Sequence, residues 1–114
     1  MSGSKTLYGW TALSYEDLLE SRTKNKIELE YYKLKNTKEK YNMVLEDSET
    51  YGIEIVKKEY LKNDELKIET SEVKNITNNE NLLDKILNTL KVNKVTPISL
   101  EDVMYDLVKI GSNY

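Results

Sequence analysis

Apolar positions change their spacing along the chain, and the change separates a strand-rich middle from a helical last third. From Lys26, the residues Ile27, Leu29 and Tyr31 alternate with Glu28 and Glu30, the period-two signature of a half-buried strand. At Tyr31-Tyr32 the phase slips, because Tyr32 and Leu34 continue the apolar pattern on the opposite parity, and a β-bulge is the simplest repair. Asn36-Thr37-Lys38 reads as a hairpin turn. Tyr41, Met43 and Leu45 form a second strand ended by Glu46-Asp47-Ser48-Glu49, and Tyr51, Ile53 and Ile55 a third with Glu54 and Lys58 turned outward. After a turn at Asn63-Asp64, Leu66 and Ile68 carry a fourth strand. Val73 and Ile76 fall off its phase, so a second bulge or an early end is expected near Thr70-Ser71. Four strands joined in order by polar turns predict an antiparallel meander with one apolar face.

Such a face needs a cover, and the last third of the chain supplies it. Leu82, Leu83, Ile86, Leu87 and Leu90 recur at three- and four-residue spacing behind a cap at Asn78 or Asn79. Pro97 interrupts the chain, and Ile98-Ser99-Leu100-Glu101-Asp102-Val103 opens a second helix, with Ser99 as its cap and Ile98 able to staple onto Val103. Leu100, Val103, Met104, Leu107 and Val108 are its expected buried face, and Gly111 its stop. A similar cap at Ser14-Tyr15-Glu16-Asp17 predicts a short N-terminal helix, reached through a polar tail that carries Leu7, Tyr8 and Trp10. The fold class is therefore α+β: a four-stranded meander packed on one face by two C-terminal helices, with a short N-terminal helix. Residues 14–110 form the single domain, residues 1–13 a tail with Met1 to Ser4 read as an expression remnant, and residues 111–114 a second tail.

Composition narrows the chemistry. At 114 residues the chain has room for one core, and the absence of Cys and His removes disulfides, Cys/His zinc sites, thiolate nucleophiles and imidazole catalysis. A net charge of −3, with Arg22 as the lone arginine among the basic residues, argues against a duplex-DNA binder. No apolar run is long enough for a secretory or membrane-spanning segment, so a cytoplasmic protein without a membrane association is expected.

Tyr51-Gly52-Ile53-Glu54-Ile55 and Val95-Thr96-Pro97-Ile98-Ser99-Leu100-Glu101-Asp102-Val103 resemble a family of small uncharacterised proteins of low-GC Gram-positive, spore-forming bacteria, a domain of unknown function. The resemblance covers about Lys26 to Ile110, leaves out the segment through Arg22, and implies no activity.

What remains are surfaces. Glu46, Asp47 and Glu49 crowd together, but without the ligand alternation and glycine turn of a calcium loop they read as a solvated hairpin tip. No metal, cofactor or catalytic residue is expected, and the protein reads as non-enzymatic. Nine tyrosines and no phenylalanine suit a surface that is partly wet. Tyr8, Trp10, Tyr15, Tyr32 and Tyr60 are the interaction candidates, for an unknown protein partner or a second copy of the chain, whereas Tyr51 belongs to the core. The alternative is single-stranded nucleic-acid binding through residues 24–45, where Lys33, Lys35, Lys38, Lys40 and Tyr41 place charge beside an aromatic ring. That alternative is disfavoured by the lack of arginine and phenylalanine for a stacking platform.

Overall fold

The computed structural model describes residues 3–14, 25–40 and 43–111, and the side chains of these except 37–40, 43–48 and 108–111. Four strands, β1 (Gly3–Ala12), β2 (Lys26–Lys40), β3 (Met43–Tyr60) and β4 (Leu66–Thr77), form one antiparallel sheet in chain order. Two helices follow, α1 (Glu80–Val92) and α2 (Leu100–Gly111), the second preceded by a 3-10 turn at Pro97–Ser99. Both lie on the same face of the sheet, giving two layers and a flat molecule of 51 × 34 × 18 Å.

The strand number agrees with the expectation, but the strands are different ones. The tail expected at residues 1–13 supplies β1, paired with β2 from Gly3↔Asn36 to Ala12↔Glu28. The second and third expected strands are one continuous β3, and the expected turn at Asn36-Thr37-Lys38 lies inside β2. The cause is geometric: β2 and β3 outrun their neighbours, since β1 ends opposite Asn36 and β4 opposite Tyr51. A two-stranded arm beyond the sheet has no layer to bury against, so its polar residues imitate a turn. The register slips there between Thr37/Glu39 and Glu49/Val44, which places the expected stop at Glu46-Asp47-Ser48 in a bulge of β3. The short helix expected over Tyr15–Glu20 lies outside the described residues, and what the N-terminus does form is a strand.

The phase slip at Tyr31-Tyr32 also has another origin. The β2–β3 ladder is unbroken from Lys26↔Tyr60 to Thr37↔Glu49, so Tyr32 and Leu34 stay on the face opposite Tyr31. At that height the irregularity belongs to β1, where Tyr8 is the extra residue between Leu7↔Tyr32 and Gly9↔Tyr31. In β4 the ladder is regular from Leu66 to Val73 and breaks only beyond it, as Tyr51↔Thr77 follows Ile53↔Val73. Gly52 sits opposite this second bulge, and a Cβ there would lie 2.5 Å from the Val73 carbonyl oxygen and 2.9 Å from the Lys74 Cα. Only glycine lets the two backbones approach so closely. Asn75, in the left-handed region at φ 56°, makes the turn of the bulge, and the Thr50 hydroxyl donates to its Oδ1 at 2.5 Å.

The core fills the space between sheet and helices. Leu29, Tyr31, Ile53 and Ile55 from the sheet meet Leu83, Leu87 and Leu90 of α1 and Leu100 of α2, all without exposed surface. Asn79 caps α1 by accepting the Leu82 N–H at 3.1 Å. Between β3 and β4 the expected turn is present, with Asn63 and Asp64 both at positive φ. The staple expected from Ile98 to Val103 does not form, because Pro97 takes the buried place at the helix start and Ile98 is left 87% exposed. The Tyr31 hydroxyl donates to the Val95 carbonyl at 2.9 Å, fastening β2 to the link between the helices. Burial pushes this phenol well above its ordinary value. At the rim of the same face, Lys33 reaches Glu80 at 3.1 Å and Asp84 at 2.6 Å on α1. Burial works against its charge, and the hydrogen bonds it donates to Asp84 and Glu80 outweigh that, so its pKa is raised.

Candidate functional site

The face of the sheet turned away from the helices is the most unusual surface of the molecule. The ladders order its side chains into rows. Leu7, Tyr32, Glu54 and Glu72 form one, Trp10, Glu30, Val56 and Thr70 the next, and Ala12, Glu28, Lys58 and Ile68 a third, with Lys26, Tyr60 and Leu66 beyond. Val56 and Leu34 are buried on this face, with no described helix above them. Around them Leu7, Trp10, Tyr60, Leu66 and Ile68 stand in water, Trp10 with 58% and Ile68 with 54% of its surface exposed. Scattered exposed apolar residues are ordinary, whereas five large ones gathered on one sheet face are not.

Charged groups cross the middle of this face as two linked sets. In the first, Lys5 pairs with Glu54 and lies 4.3 Å from the Tyr32 ring centroid, the Tyr32 hydroxyl donates to Glu30 at 3.0 Å, and Lys58 reaches Glu30 at 3.2 Å. In the second, Glu28 accepts from Lys26 at 3.1 Å and from the Tyr60 hydroxyl at 3.2 Å. The hydrogen bond with Glu54 raises the Lys5 pKa, and that with Glu30 raises the Lys58 pKa. Burial, followed by the hydrogen bond to Glu30, raises the Tyr32 pKa. The result is an apolar surface at both edges with a neutralised polar strip between them.

Of the interaction candidates, Trp10, Tyr32 and Tyr60 come together on this face. Tyr8 does not, because the β1 bulge turns it to the helix side, where it packs against the core. Tyr15 lies outside the described residues. Leu66 and Ile68 were expected to face the core, and they instead project into solvent from the open face. Alternation along β4 reveals that these two share a side but not which side it is. Leu7 carries no strand signal in the sequence, since the extra residue at Tyr8 hides its alternation with Trp10.

The basic segment is divided by the sheet. Lys33 and Lys35 project on the helix side, paired with Glu80, Asp84 and Glu49, while Tyr32 lies on the other face. The side chains of Lys38, Lys40 and Tyr41 lie outside the description, as do those of Glu46 and Asp47. Among the described residues no group of three or more metal-ligating side chains converges. Two open clefts, of about 490 and 580 Å³, run between β4 and the start of α2. Their carboxylates Glu69 and Glu72 are already near Lys67 and Lys74, at 3.4 and 3.5 Å.

Of the motifs noted above, the strand motif holds Gly52 against the β4 bulge and the helix motif, Val95 to Val103, spans the link after α1 and the first turn of α2; the chain as a whole fits one family model over residues 11–109. The protein belongs to the family of unknown function DUF6514. The DUF6514 match begins well before Lys26 and takes in the last residues of β1. No curated protein and no solved structure matches the chain. Among the described residues of this DUF6514 protein, no helix is long and apolar enough to cross a membrane.

Proposed function

We propose that the protein is a non-enzymatic protein-interaction or regulatory module of the cytoplasm, with the open sheet face as its working surface. One observation carries this reading: Leu7, Trp10, Tyr60, Leu66 and Ile68 are exposed together on a face that no described element covers. Apolar edges supply the energy of contact, and a neutralised polar strip supplies orientation and solubility, the division of labour found in protein interfaces. The split of Lys33 and Lys35 from Tyr32 gives the nucleic-acid alternative no continuous groove. Affinity capture from the source cell tests the reading, with the wild-type chain compared against a Leu7→Ser, Trp10→Ser, Ile68→Ser variant. A defined protein recovered in near-stoichiometric amount, resistant to nuclease and lost with the variant, is the expected outcome. Recovery of nucleic acid alone, or equal recovery by both baits, overturns it.

A further inference from the structure

We infer that the occupant of the open face is a second copy of this chain, bound about a two-fold axis that runs parallel to the strands between β2 and β3. The inference rests on the interaction reading above and adds the partner and its register. Rotation about such an axis lays β1 of one copy over β4 of the other and β2 over β3. The row Ala12, Glu28, Lys58, Ile68 reads apolar, acidic, basic, apolar across the sheet. Rotated onto itself, it places Glu28 over Lys58 of the second copy and Ala12 over its Ile68, so the row is complementary to itself. An isologous interface requires this property, and a surface made for an unrelated partner has no need of it. In the adjoining row Trp10 falls over Thr70 of the second copy, beside its Ile68, so the exposed edges of the two sheets cover each other.

Charge and area agree. Lys5, Lys26 and Lys58 nearly balance Glu28, Glu30, Glu54 and Glu72 on this face, so two copies meet without the repulsion that the net −3 of the whole chain would otherwise bring. Four strands spaced by about 4.8 Å and about ten residues of common length give a footprint of roughly 600 Å² per copy. The total, about 1,200 Å², reaches the lower end of stable interfaces. Packed sheets cross at about −30°, which shifts the edge strands most and leaves Glu28 and Lys58, on the two strands flanking the axis, nearer to register than Ala12 and Ile68 of the same row.

Sedimentation equilibrium on the full chain tests the inference. The wild type is expected to reach twice 13.3 kDa with rising concentration. Glu28→Lys and Lys58→Glu are each expected to weaken the dimer about tenfold or more, because each sets like charges together twice across the axis. Mixed in equal amounts, the two variants should recover dimerisation as a heterodimer, since every contact across the axis is again opposite in sign. Each variant keeps its own like-charged pair within the sheet, so recovery on mixing reads the contact between copies alone. A monomeric wild type, or variants that fail to rescue each other, overturns the inference. In either case a partner captured through Trp10 and Ile68 still sustains the broader reading. Should either charge variant not fold, an Ala12→Cys, Ile68→Cys double variant decides the matter in a chain that otherwise has no cysteine. Covalent dimers on mild oxidation support the register, and none overturns it.

Discussion

The two faces of the sheet carry comparable amounts of apolar side chain and treat it in opposite ways. On the helix side Leu29, Tyr31, Ile53 and Ile55 are sealed beneath α1 and α2, and the buried Tyr31 hydroxyl donates to a carbonyl. On the other side no described helix lies over Val56 and Leu34, and Leu7, Trp10, Leu66 and Ile68 remain wet around an ion-paired strip. The covered face gives the molecule its stability, and the open one is the surface proposed to bind. Perturbations should therefore sort by face, and the expectations that follow run from the largest effect to the smallest.

Leu87→Ala opens a cavity beneath α1 at a site with no exposed surface, and should cost about 2–5 kcal/mol in chemical denaturation. A loss below about 1 kcal/mol would mean that the covered face is not the stabilising one. Gly52→Ala forces the β3 and β4 backbones apart, with an expected loss of about 1–3 kcal/mol, and the amide protons of β4 should exchange faster around Val73. Tyr31→Phe leaves the Val95 carbonyl without its donor, for about 1–2 kcal/mol.

The same tyrosine sets the pH dependence. Its folded-state pKa is raised by burial, so above its ordinary value of 10.0 the unfolded chain ionises while the folded chain holds its proton. Its share of stability is complete below that pH and falls by about 1.4 kcal/mol per pH unit above it. Lys33, raised from 10.5, acts in the same direction, since its pairing is lost as the pH climbs through the folded value. Denaturant midpoints between pH 8 and 11 should fall for the wild type and fall less steeply for Tyr31→Phe. Smallest of all, Ile68→Ser should change stability by less than about 0.5 kcal/mol while weakening association, a contrast that ties binding to the open face.

The helical layer was largely legible in the sequence because its signals are local. Asn79, Leu83, Leu87 and Leu90 declare a cap and a stripe, and these stand where the spacing puts them, whereas Leu82, expected in the same stripe, lies at its margin and is 46% exposed. The sheet was legible in number and direction but not in detail, because strand patterns leave the choice of face open. Ile53 and Ile55 share a parity with Tyr51 and pack under the helices, whereas Leu66 and Ile68 alternate just as regularly and point the other way. What decides is which face the helices occupy, a property of the assembled molecule. Trp10, Tyr32 and Tyr60 could be singled out as amphipathic residues near turns or on odd parity. Their convergence on one surface depends on a β1 pairing that the bulge at Tyr8 conceals.

The order of elements has a consequence for synthesis. Both helices follow all four strands, so the sheet can be complete as far as Thr77 while its covering layer is still being added. At about 5–20 residues per second, the stretch to Gly111 takes a few seconds to appear. Throughout that interval both faces of the sheet are apolar and uncovered, and the nascent chain has its greatest need of a chaperone.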